Sequence, residues 1–188
     1  MIDLPDWYVT LPREARLHQG EVVFECPVAK WKEAVPDLTD LRKAAEYQVA
    51  DVVVMSQDCD LENDKVPTVI LCPADPLPAF KGLWEKEMQS RSQNPTDRAW
   101  RKQIEKISTG EVTNLSLLND LPEDFGALKL IVDFKEVFSI PRAFLESLVQ
   151  SREDRVMLSP PYREHLSQSF ARFFMRVGLP TPIDLESA

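Results

Sequence analysis

Two apolar runs, residues 49–55 and 66–72, flank the polar stretch 58–65, and this pattern constrains the fold more than any other feature of the chain. Both runs are rich in Val, Ile and Leu with few polar interruptions, as in strands covered on both faces. A short polar link between two such strands predicts an antiparallel hairpin. The first run ends in Met55-Ser56-Gln57-Asp58-Cys59-Asp60, where hydroxyl, amide, carboxylate and thiol groups crowd the strand's end. Any chemistry is expected to begin there. The chain holds no phosphate loop, zinc-ligand spacing, nucleophile elbow or dinucleotide fingerprint.

A length of 188 residues suits one compact domain over 1–188 and is too short for two domains with a linker. No apolar run approaches the roughly 18 residues needed to span a bilayer, so no membrane association is expected. The N-terminus lacks the basic and apolar regions of an export signal. Cys26, Cys59 and Cys72 are odd in number and widely spaced, which fits reduced thiols in a cytoplasmic protein better than a disulfide framework. A net charge of −9 opposes nonspecific attraction to nucleic acid, so any such contact must be local. Fifteen prolines against five glycines predict stiff connections and sharply terminated elements.

Gln19-Gly20 predicts a turn feeding a short strand over residues 21–26, closed by Pro27. Residues 31–47 read as a loop with a helical turn or two. Beyond Cys72 the prolines at 73, 76 and 78 stop the second hairpin strand. Phe80, Trp84 and Met88 then mark one helix, and Trp100, Ile104 and Ile107 another, with Thr96 as its cap and Gly110 near its end. Residues 76–127 are therefore expected to form a helical insertion. Its segment 81–106 holds seven basic residues against four acidic ones, the best electropositive island of an acidic chain. A strand is predicted over 128–134, continuing through Val137 and Phe138 to a turn at Pro141 and a short helix beyond. Pro160-Pro161 starts the clearest helix, with Tyr162, Leu166, Phe170, Phe173, Phe174 and Val177 as its apolar stripe and Arg163, Gln168, Arg172 and Arg176 off it.

The order of these pieces resembles the MazF/PemK toxin family. The resemblance is carried by Gly20-Glu21-Val22-Val23-Phe24, by Val53-Val54-Met55-Ser56 with its terminal hydroxyl, by Val69-Ile70-Leu71-Cys72-Pro73 and by Leu130-Ile131-Val132-Asp133. It covers about half the chain in short pieces. It implies an α+β fold, a small SH3-like (PemK-type) β-barrel, here with the helical insertion and a C-terminal helix. It also implies a bacterial toxin-antitoxin or phage-defence setting. Members that cut RNA resemble one another in an arginine just before the strand that ends in the hydroxyl residue; here that place holds Tyr47-Gln48-Val49-Ala50. The catalytic carry-over thus reaches Ser56 only, with Arg42 and Lys43 as the nearest substitutes.

Metal-free RNA cleavage needs a base for the 2′-hydroxyl and a cation for the charge developing on phosphorus. Candidate catalytic residues are Ser56, Asp58, Asp60, Arg42 and Lys43; Arg98, Arg101, Lys102 and Lys106, beside Trp84 and Trp100, are candidates for contacting nucleic acid. A solvated helix face over packed tryptophans competes with that assignment. The alternating carboxylates Asp58, Asp60, Glu62 and Asp64 lack the glycine of a calcium loop and read as turn and surface residues, so neither a metal nor a cofactor is expected. Cys59 between two carboxylates is a poor nucleophile. His18 and His165, the two histidines, show no spacing to Ser56 or Cys59, and His165 is placed beside the apolar stripe of its helix.

With the family's arginine missing, the expected function is a binding or assembly module whose partner is another protein or a second copy. The alternative is an endoribonuclease whose site combines Ser56, Asp58 and a basic residue of the 42–43 segment or the insertion, with RNA as partner. A guanidinium within about 4 Å of Ser56 or Asp58 would separate the two.

Overall fold

The computed structural model describes residues 6–32 and 43–175. The chain is α+β, with eight strands in one antiparallel sheet and five helices among the described residues. In chain order these are β1 (Tyr8–Leu11), β2 (Glu21–Trp31), β3 (Ala45–Val54), α1 (Asp58–Glu62), β4 (Thr68–Pro76), α2 (Leu77–Ser90) and α3 (Asp97–Ser108). They continue with β5 (Leu115–Leu118), β6 (Leu130–Asp133), β7 (Phe138–Pro141), α4 (Arg142–Gln150), β8 (Arg155–Leu158) and α5 (Tyr162–Phe174). The sheet runs β1-β8-β2-β3-β4-β6-β5, with β7 also paired to β4, and its ends do not meet. Among the described residues it is an open sheet, and the closure of a barrel is not seen.

Val52, Val53 and Val54 explain the central run, since all three are fully buried. Val53 and Met55 join a core with Leu130, Val132, Phe134, Leu158 and Leu166, against which Phe170 and Phe173 of α5 pack. Val52 and Val54 point the other way, to Leu17, Leu61, Val69, Leu71, Leu145 and Val149. A strand covered on both faces carries no polar alternation. The β3–β4 hairpin is present, with Val54 opposite Leu71 and Val52 opposite Pro73. Its link holds the one-turn helix α1 where the sequence reads as loop.

Proline ends fewer strands than expected. Pro27 lies inside β2, but β8 accompanies β2 only along Glu21 and Val22, so at Pro27 the strand has β3 alone beside it. At such an edge a missing N–H is tolerated. Pro73 lies inside β4 at the gap where β7 leaves off at Leu71 and β6 takes up at Ala74. β6 and β7 are thus successive pieces alongside β4, interrupted at residues 134–137 within the expected continuous strand. The insertion holds α2 and α3 as predicted, and the Thr96 hydroxyl caps α3 by accepting the Ala99 N–H at 3.2 Å. It also supplies β5, which extends the sheet beyond β6.

Candidate active site

The site is built on the loop between β1 and β2. Glu21, first residue of β2, and Arg155, first residue of β8, are 1% and 2% exposed. The Arg155 guanidinium donates to both Glu21 oxygens at 2.7 and 2.9 Å, and to the carbonyls of Arg13, Ala15 and Arg16 at 2.9, 2.5 and 3.0 Å. A charge pair is tolerated in an interior when its donors and acceptors are used, as here. Residues 12–16 are thereby wrapped around one guanidinium, and Glu21 also accepts the His18 N–H at 3.3 Å. The loop then turns at Gly20, whose φ of +78° suits glycine and whose N–H donates to the Val54 carbonyl at 2.8 Å. That bond fixes His18 and Gln19 beside the end of β3. A methyl group at Gly20 would lie 3.0 Å from Cγ of Arg163, so glycine also lets the arginine stem pass.

Asp58, at the start of α1, gathers these parts. Its Oδ1 accepts the Gln19 N–H at 2.7 Å and its Oδ2 accepts from Nη1 of Arg163 at 2.5 Å. His18 Nδ1 lies 3.4 Å from Oδ1 without the alignment of a hydrogen bond. Arg163 stands in the first turn of α5, and its Nε and Nη2 donate to Oε1 of Glu164 at 3.0 and 2.7 Å. A guanidinium has five N–H groups, so this one keeps donors uncommitted. The His18, Asp58 and Arg163 side chains are 18%, 21% and 18% exposed, so all three are partly desolvated.

Three buried side-chain polar atoms lack a hydrogen-bond partner among the described residues: His18 Nδ1, Ser159 Oγ and Glu164 Oε2. All three belong to this loop or to the approach and first turn of α5. An imidazole and a guanidinium meeting on one carboxylate supply a proton acceptor, an anion stabiliser and the group that orients both.

Of the sequence candidates, only Asp58 stands in this constellation. Ser56 is buried at the end of β3, and its Oγ accepts the Ile70 N–H at 2.9 Å, a bond that ties the hairpin together. Asp60 faces Lys65 at 4.0 Å. Lys43 precedes the far end of β3, and the strand that separates it from Ser56 alone spans roughly 30 Å at about 3.3 Å per residue. Arg42 lies outside the described residues. The four alternating carboxylates go to four different cations: Asp58 to Arg163, Asp60 to Lys65, Glu62 to Arg16 and Asp64 to Arg142. Among the described residues no group of three or more His, Cys, Asp or Glu is arranged to hold a metal.

Arg98, Arg101 and Lys102 are exposed on α3, with Lys106 half-buried near its end. Beneath them Trp84 and Trp100 pack against each other, ring centres 5.2 Å apart, which leaves the basic strip without free aromatic faces at that contact. Cys59 is exposed, with its thiol near Gln57 and Asp60. His165 is exposed too, lining a cleft with Ser116, Leu117 and Trp7. Sequence reasoning missed His18 and Arg163 as site residues. The available signals were a histidine next to the Gln19-Gly20 turn and an arginine off the stripe of the last helix. Comparison with protein-family models, curated proteins and solved structures finds no match for this chain.

Proposed function

We propose that the chain is an endoribonuclease of the MazF/PemK type with a rearranged active site, carried on a PemK-like variant of the SH3-type barrel. The observation that carries this reading is the Asp58 carboxylate held between the His18 imidazole and the Arg163 guanidinium. A non-catalytic adaptor is the expectation for a rim without a cation, and Arg163 supplies one. The setting implied by the resemblance, toxin-antitoxin or phage defence, is part of the same proposal.

In this scheme Nδ1 of His18 stays on the Asp58 side, 3.4 Å from Oδ1, and Nε2 accepts the proton of a ribose 2′-hydroxyl. The 2′-oxygen attacks phosphorus and the bond to the 5′-oxygen breaks. The products are a 2′,3′-cyclic phosphate and a 5′-hydroxyl, with solvent protonating the departing oxygen. The free donors of Arg163 stabilise the extra charge on the pentavalent phosphorus. Ser56 keeps the hairpin closed below the site and takes no part in the chemistry.

The test uses one RNA in two forms, all-ribose and with 2′-deoxyribose at every position, incubated in a chelator. Cleavage of the first alone, leaving 2′,3′-cyclic phosphate ends, is the expected result. Cleavage of both would rule out attack by the 2′-hydroxyl. A second reading, an assembly module, is favoured by a different observation, the exposed Trp31, Tyr47 and Val49 where β2 and β3 pair with each other.

A further inference from the structure

A second cleft lies on the other flank of α5 from Asp58. Two adjoining recesses of about 130 and 330 Å³ share Ser108, Ser116, Leu117 and His165, and so form one continuous groove between α5, β5 and the end of α3. The larger alone falls within the roughly 300–1,000 Å³ of small-molecule sites. Positions 162, 165, 169 and 172 share one face of a helix, and Tyr162, His165, Ser169 and Arg172 all line the groove. Arg163, which holds Asp58, lies about 200° round α5 from His165 at about 100° per residue. None of His18, Asp58 and Arg163 lines the groove.

The groove is chemically unlike the chain as a whole. The net charge of the chain is −9, yet no Asp or Glu lines either recess. Arg172 and His165 contribute a guanidinium and an imidazole, and among the described residues neither side chain has a hydrogen-bond or ion-pair partner. Ser116, which lines both recesses, is 8% exposed, and its hydroxyl has no partner among the described residues either. A hydroxyl both donates and accepts, so it can meet a ligand of either kind. A guanidinium and an imidazole beside such a group, with no carboxylate to compete, select an anion, and phosphate above all, whose oxygens accept from several donors at once.

The larger recess adds an aromatic surface. Trp7 and Tyr162 line it, and their rings stack with centres 4.0 Å apart and planes 11° apart. Nucleobases stack on such surfaces. From Tyr162 to Ser169 the helix rises about 10 Å, about the length of one nucleotide and too short for a strand. The nearest carboxylates set the direction of the ligand. Asp6 and Asp120 line a neighbouring recess shared with Trp7 and Tyr162, so the aromatic end is the acidic one and a phosphate belongs at the other. We propose that the groove binds a nucleoside monophosphate, with its phosphate at His165, Ser116 and Arg172 and its base against the Trp7–Tyr162 pair. This inference is independent of the nuclease reading.

Isothermal titration calorimetry of the full chain with AMP, GMP, CMP and UMP provides the test. At least one is expected to bind with a Kd below about 1 mM. The matching nucleoside and inorganic phosphate should each bind at least about tenfold more weakly, since each fills one end of the groove. His165→Ala and Arg172→Ala should each weaken nucleotide binding at least about tenfold, the usual effect of losing a hydrogen bond to a charged group, while His18→Ala should bind as the wild type does. His165 and Arg172 are exposed, and melting curves check that each variant is folded. The proposal is overturned if none of the four nucleotides reaches that affinity, if inorganic phosphate binds as tightly as the nucleotide, or if either groove substitution leaves binding unchanged. Loss of binding in His18→Ala would also overturn it, because the nucleotide would then occupy the Asp58 site.

Discussion

Two arginine–carboxylate pairs meet the loop between β1 and β2, and they are built differently. Arg155 and Glu21 are sealed, and the guanidinium is surrounded by two carboxylate oxygens and a ring of carbonyls. Arg163 and Asp58 lie at the surface, the guanidinium keeps free donors, and three buried polar atoms nearby lack partners. The first pair has no capacity left for a ligand; its product is the shape of the loop. The second is incompletely bonded and rests on the position the first provides for His18. Saturation of hydrogen bonding thus separates a pair that builds from a pair available for binding and chemistry.

The largest expected effect falls on the sealed pair. Arg155→Ala leaves Glu21 buried without its partner and should cost about 3–5 kcal/mol, read as a drop in Tm of roughly 10 °C or more. A drop no larger than that of Arg163→Ala would break the contrast. At the open pair the order reverses. Arg163→Ala and His18→Ala should each shift Tm by only a few degrees, as for a partly solvated pair, while RNA cleavage falls at least about a hundredfold, equivalent to about 2.7 kcal/mol of transition-state stabilisation.

How much of this was legible in the sequence follows from the range of each interaction. The hairpin, the four helices α2, α3, α4 and α5, and the Thr96 cap rest on local periodicity and turn chemistry, and the structure contains them. β1 and β8, four residues each, carry too short a pattern to register, and β8 opens on the buried Arg155, a residue that ordinarily signals a surface. Asp58 was legible because it ends the central strand run. Arg163 is 105 positions away, and its meeting with Asp58 depends on how α5 packs against Phe134, which no local pattern encodes. Ser56 was legible for a different reason, the family resemblance, and its observed bond to the Ile70 N–H is architectural.

Ser56 supplies a smaller effect that sharpens the comparison. Ser56→Ala removes the acceptor of one hairpin bond and should cost about 1 kcal/mol in stability with cleavage unchanged. A loss of cleavage at constant Tm would return Ser56 to the chemistry.

The smallest effect concerns a carboxylate with no arginine at all. Burial first, then the like charges of Asp51, Glu136 and Asp133, push the Asp75 carboxyl above the usual carboxylate range. The folded chain therefore holds this proton to higher pH than the unfolded chain. Stability falls as pH rises from the unfolded value, about 3.9, to the raised folded one, and stays lower above it. Asp75→Asn should raise Tm slightly at neutral pH and lose that advantage as the pH drops below about 4. An unchanged difference across that range would show that Asp75 titrates alike in both states.

The central claim is that the surface pair is a working site, not a second structural clamp. Its most direct measurement is the rate of RNA cleavage, in a chelator, by the wild type and by His18→Ala at a temperature where both are fully folded. The account predicts cutting by the wild type and a loss of at least about a hundredfold in the variant. Equal rates, or no cutting by the wild type across RNAs of varied sequence, would contradict it.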